Sequence, residues 1–96
     1  MGKLFLPAKV PNEGARRLAA WFLSRPAIRA RSALASVGID FGKLDRMVTG
    51  ELLPGADERF AITLATGDAV TVRDWSVAPR GRWGDPVPAR KMRRAA

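Results

Sequence analysis

The chain contains no cysteine. Disulfides, thiolate nucleophiles and cysteine-based zinc sites are therefore excluded together. It contains no histidine either, which removes the side chain that titrates nearest neutral pH and the commonest metal ligand. Negative charge is scarce: nine Asp and Glu stand against 17 Lys and Arg, a net of +8 over 96 residues. No apolar run approaches the ~18 residues of a membrane-spanning helix. The segment Met1–Pro7 is too short for a secretory leader. Gly2 follows Met1, but Leu6 stands where a myristoylation signal needs Ser or Thr. A soluble, cytoplasmic, nucleoid-associated protein with no membrane partner is the expectation. The scattered carboxylates suggest no acid–base pair with a histidine, no metal cluster and no activated nucleophile. No catalytic activity and no cofactor or metal are expected.

What the chain does contain is enough for one small domain. Hydrophobic residues make up 47%, too many for a wholly disordered chain. The positive charge is unevenly spread. From Pro79 onward, 18 residues hold six cations and one anion, more than half of the net charge. Such a balance favours a polyanionic partner. Proline, glycine and like charges dominate this stretch, which predicts a disordered basic tail over 79–96 whose removal would hardly change stability. Residues 1–11 carry Pro7 and Pro11 around Leu4, Phe5, Leu6 and Val10. They read as an extended arm, either laid over the core or contacting DNA through Lys3 and Lys9. The domain proper is expected over 12–78.

Within it, Asn12 is a good helix N-cap and Glu13 suits a first turn. Ala15, Leu18, Trp21 and Phe22 recur at spacings of three and four, predicting a helix over about 12–24. Pro26 stops that helix or opens the next. A second helix fits about 26–37, with Ile28, Ala33, Leu34 and Val37 as its apolar contacts and Gly38 as its end. A third follows from the cap Asp40, with Leu44, Met47 and Val48 on one stripe and Gly50 as terminator. The stretch 56–75 reads equally as a hairpin turning at Gly67-Asp68 or as a helix from Asp57 to Ala65. In the helical version Phe60, Ala61, Leu64 and Ala65 form the inner face and Ile62 points outward. Thr71-Val-Arg-Asp74 then resembles a capping box opening a last short helix through Trp75, itself a core cap or a dimer contact.

The second and third helices, joined at Gly38, have the requirements of a helix-turn-helix: a glycine for positive φ, apolar side chains locking the helices together, and polar side chains on the outer side of the second helix. Val37, Ile39, Leu44 and Met47 or Val48 form the lock. Phe41, Gly42, Lys43, Asp45, Arg46 and Thr49 are left outward.

The run Ser32-Ala-Leu-Ala-Ser-Val-Gly-Ile-Asp-Phe-Gly-Lys-Leu-Asp-Arg-Met-Val-Thr-Gly-Glu, followed by Pro54, resembles the Cro/CI-type helix-turn-helix of phage and bacterial repressors. Ala61-Ile-Thr-Leu-Ala-Thr-Gly-Asp-Ala-Val-Thr-Val-Arg-Asp-Trp is similar to the end of small Cro-like prophage repressors and antitoxins. The resemblance covers about residues 13–78 and favours the helical reading of 56–75. It implies an all-α fold, a four- or five-helix bundle containing the helix-turn-helix, flanked by the arm and the tail. It also implies sequence-specific binding of double-stranded DNA, transcription regulation as a repressor, and a homodimer on a two-fold operator. Lys43 and Arg46 are the candidate base or phosphate contacts, Thr49 a phosphate contact, and Arg29 and Arg31 the backbone clamp.

The family pattern is broken twice. Leu34 stands where a small Ala usually lets the helices approach, so a wider crossing or a register shift by one residue is expected. Phe41 and Gly42 open the recognition helix where polar base-reading residues are usual. Phe41 could pack inside, or touch a thymine methyl or a base step. That opening keeps a second reading in play: a protein-interaction module on the same scaffold, an antitoxin with a toxin partner or a factor docking on RNA polymerase. A third is nonspecific nucleic-acid binding driven by the tail.

Overall fold

The Asn12 side chain accepts a hydrogen bond from the Ala15 amide at 2.7 Å and starts α1, Glu13–Leu23. This computed structural model describes Leu4 and residues 6–87. α2 spans Ala27–Ala35, α3 Phe41–Thr49 and α4 Ala56–Ala65; a 3-10 helix at Val72–Ser76 closes the series. The fold is all-helical, and among the described residues there is no strand, so the hairpin reading of 56–75 is excluded. Gly67 and Asp68, with φ of 60° and 70°, instead turn the chain out of α4. The Asp74 carboxylate then accepts from the Thr71 amide at 2.8 Å, opening the 3-10 helix as its sequence suggested.

α1 is the central element and packs against α2, α3 and the 3-10 helix. Its buried positions Ala15, Leu18, Ala19, Trp21 and Phe22 meet Leu34, Ile39, Leu44, Met47, Val48, Ile62, Val70 and Trp75 in one core. Trp75 is core rather than surface. A Cβ placed on Gly14 would collide with the Trp75 indole, so glycine is required there by close approach rather than by φ. Leu4 and Leu6 cover the core from the N-terminal arm. The arm thus takes the covering role; Lys9 is exposed, and Lys3 lies outside the described residues.

Three expectations need correction. Ile28, read as an apolar contact of α2, is 79% exposed. α4 is rotated relative to its reading: Ile62 is fully buried, whereas Phe60 and Leu64 are 59% and 64% exposed. The reason lies in what the helix docks on. Glu58 reaches Lys43 of α3 at 2.8 Å, and Arg59 donates to the Pro54 carbonyl at 2.8 Å and to Ser76 Oγ at 3.1 Å. Those contacts turn the Ile62 side inward. The folded body also extends beyond Pro79. The Arg80 amide donates to Glu13 Oε1 at 2.8 Å, Arg16 donates to the carbonyls of Arg82 and Pro86 at 3.3 and 3.0 Å, and Trp83 Nε1 donates to the Pro7 carbonyl at 2.7 Å. Residues 88–96 of the tail lie outside the described residues.

Candidate nucleic-acid interface

Gly38 adopts φ 85° with open space around it, so its need for glycine is conformational. The Ile39 amide returns to the Leu34 carbonyl at 2.9 Å and the Gly38 amide to Ala35 at 3.0 Å, satisfying the end of α2 in the manner of a Schellman turn. Leu34 is fully buried within this turn. The turn glycine stands where the sequence placed it. Two residues on, the Asp40 carboxylate accepts from the Lys43 amide at 2.8 Å and starts α3. Gly50, at φ 88°, ends it, and the Leu52 amide closes on the Arg46 carbonyl at 3.0 Å.

This local chemistry fixes the rotation of α3. Leu44, Met47 and Val48 are buried, and Ile39 joins them. Gly42 and Arg46 are exposed, and Lys43, Asp45 and Thr49 are half-buried. Thr49 Oγ1 donates to the Arg46 carbonyl at 3.1 Å within the helix. Phe41 sits partly inside, its ring 6.2 Å from Phe22 at 53°, with the Arg31 guanidinium 4.6 Å above it. The pair Arg31–Phe41 thus joins the start of α3 to α2. Arg29 is exposed on α2, two positions from Arg31. Helix α3 and the exposed side of α2 thus present Arg29, Arg31 and Arg46 among their surface cations.

Lys43 is less available than its position suggests. Its ammonium lies 2.8 Å from the Glu58 carboxylate of α4. The hydrogen bond to Glu58 raises the Lys43 pKa above its ordinary value, and the same bond lowers that of Glu58. The depressed Glu58 contributes stability above its unfolded pKa and loses it as pH falls through the folded value. The raised Lys43 contributes below its unfolded pKa and loses it as pH rises through the folded value. The pair therefore holds across the neutral range. Both side chains are substantially solvated, so its contribution to stability is small and salt-sensitive. Its larger consequence is to aim Lys43 at α4.

Glu58→Gln keeps an acceptor for the Gly55 amide, which Glu58 now takes at 3.3 Å, while releasing Lys43 and removing an anion. Under the nucleic-acid reading, affinity for random duplex DNA is expected to rise. Its salt dependence should steepen by about 0.9 in logarithmic slope for each phosphate newly neutralised. The melting temperature should hardly move. Titrations at several salt concentrations, with a thermal melt, check this; unchanged affinity and slope would place Lys43 outside the interface.

Two features escaped the reading of the sequence. The Lys43–Glu58 pair crosses 15 positions, so no local spacing announces it. The cluster of Glu13 with Arg16 and Arg17, at 2.9 and 3.0 Å, has the i, i+3 and i+4 spacing of helical ion pairs, but nothing in that spacing shows that it is buried. Among the described residues, no group of three metal-ligating side chains is gathered, and no helix is long and apolar enough to cross a membrane. In comparisons with known proteins, no protein-family model, curated protein or solved structure matches this chain.

Proposed function

We propose that the chain is a sequence-specific double-stranded DNA-binding regulator, a cytoplasmic repressor of the Cro/CI kind, that places α3 in the major groove. The observation carrying this reading is the α2–Gly38–α3 unit itself: a left-handed glycine turn, a carboxylate-capped short helix buried through Leu44, Met47 and Val48, and Arg46 exposed on its outer side. In a chain of net charge +8, that unit combines long-range attraction with a rigid reading element. Arg46 reads a base edge; Arg29 and Arg31 neutralise phosphates, which set position and supply affinity without sequence information. Phe41 and Gly42 leave the front of α3 poor in base-reading groups. Two copies on adjoining half-sites then supply the specificity that one copy lacks.

Arg46→Ala tests the reading. A bidentate arginine–guanine contact contributes roughly 1–3 kcal/mol of discrimination. Sites selected from random duplexes by the unaltered protein provide the specific DNA. The variant is expected to lose about 5- to 150-fold in affinity for that site, and far less for scrambled DNA. An equal loss on both would make Arg46 a phosphate contact, and failure to select any site would remove the regulator reading.

A protein-interaction role on the same scaffold is favoured by one specific observation, the apolar surface left on α2 and α4. In that reading the partner would be a toxin or RNA polymerase, and the unaltered protein would show no site preference in the same selection.

A further inference from the structure

α2 and α4 each leave apolar side chains in solvent, and their charges are opposite. On α2, Ala27, Ile28, Arg31, Ser32 and Ala35 line an open groove of about 460 Å³. Ile28 is 79% exposed. Arg31 lines this groove and Arg29 is exposed on the same helix, Arg25 is turned back onto the Trp21 carbonyl and ring, and no acidic residue occurs between Gly14 and Ile39. On α4, Phe60 and Leu64 project one turn apart into solvent. Asp57 is exposed one turn before Phe60, and Asp68 is exposed just after the helix. Arg59, the single cation of α4, is turned back onto the Pro54 carbonyl and Ser76.

Neither surface is complementary to itself. An α4–α4 contact would gather four carboxylates around the apolar side chains, and an α2–α2 contact would gather arginines. Like charges brought together at an interface oppose association, whereas opposite ones align it. We propose that the α4 face of one copy of this chain docks into the α2 groove of a second copy, with Phe60 and Leu64 against Ile28, Ala27 and Ala35, and Asp57 and Asp68 facing the arginines. The contact pairs two different surfaces of the chain, the groove on α2 and the knob on α4. Two copies that make the contact reciprocally close into a symmetric pair, and copies that make it only once each build a ring or an open chain. The proposal does not depend on DNA binding. Where Arg31 faces the carboxylates of a second copy it is withdrawn from phosphates, so DNA and a docked copy compete for it.

The test uses the full chain without DNA. Sedimentation velocity over a concentration series at low salt is expected to show mass growing past that of the monomer, and added salt should weaken the association. Ile28→Lys blocks the groove and leaves the α4 face intact; Phe60→Lys does the reverse. Both positions are exposed, so both variants should fold, as circular dichroism will report. Each alone is expected to be monomeric at concentrations at least tenfold above those at which the unaltered protein associates. Mixed in equal amounts, they should form a complex of one copy of each and stop there. Three results would overturn the proposal: an unaltered protein that stays monomeric, an Ile28→Lys variant that still self-associates, as a symmetric α4 contact would allow, or a mixture that forms no complex. Because DNA is absent, none of these outcomes bears on the regulator reading.

Discussion

Glu13→Ala should lower the stability of the fold more than any other single change at a charged position. The Glu13 side chain is 1% exposed and accepts three hydrogen bonds: from Arg16 Nη1 at 2.9 Å, Arg17 Nε at 3.0 Å and the Arg80 amide at 2.8 Å. Arg16 and Arg17 are themselves buried, at 4% and 9% exposure. Removing the carboxylate leaves two cations in a low-dielectric setting without their shared acceptor. Breaking a buried ion pair by deleting one partner costs about 3–5 kcal/mol. That is a large share of the ~5–15 kcal/mol that holds a small domain together. In a domain of this size it corresponds to a fall in melting temperature on the order of 15 °C. Glu13→Gln keeps the acceptor oxygen for Arg80 but not the charge, and should fall between the unaltered protein and Glu13→Ala. A calorimetric or circular-dichroism melt of both variants decides this. A loss within about 1 kcal/mol for Glu13→Ala would mean that water reaches the cluster and that the tail is not held by it.

Two truncations should separate the parts of the C-terminal segment. Removing 79–96 takes away Trp83, whose indole donates to the Pro7 carbonyl, and the Arg82 and Pro86 carbonyls that receive Arg16. Burying a large apolar side chain contributes roughly 1.5–3 kcal/mol, and Trp83 packs against the core while remaining half-buried. A melting temperature lower by about 8 °C or more is expected. Proline, glycine and charge content alone predict almost no change. Removing only 88–96 deletes Arg90, Lys91, Arg93 and Arg94, four cations with no anion, and should leave the melt where it is. Under the regulator reading, the shorter deletion still weakens binding to every duplex. It also flattens the salt dependence by about 0.9 in slope for each phosphate no longer neutralised, with site preference retained. Equal melts for the two truncations would show that 79–87 adds nothing to the fold. A protein that no longer prefers its site after the shorter deletion would give the last nine residues a reading role.

What the sequence determined by itself is the local framework. Asn12 and Asp40 accept from amides three residues ahead, and Gly38 and Gly50 take the left-handed conformation that ends a helix. These are short-range events, decided by the chemistry of a few consecutive residues, and they place the ends of α1, α2 and α3 wherever the rest of the chain goes. The inward stripe of α3 was legible for the same reason: Leu44, Met47 and Val48 are its only large aliphatic side chains, so one rotation is possible. α4 had two. Phe60 with Leu64, and Ile62 with Ala65, both fit a helical spacing, and hydrophobicity does not choose between them. The tertiary structure chose, because Glu58 meets Lys43 and Arg59 meets Ser76 only when Ile62 faces inward. The same holds for the segment after Pro79. Its composition reads as unstructured, yet Trp83 and the Arg80 amide find partners at Pro7 and Glu13, 76 and 67 positions away. Contacts of such separation leave no periodic trace in a sequence. They form only once α1 has brought a buried carboxylate and the N-terminal arm to one side of the molecule, and that placement decides how far the folded body extends.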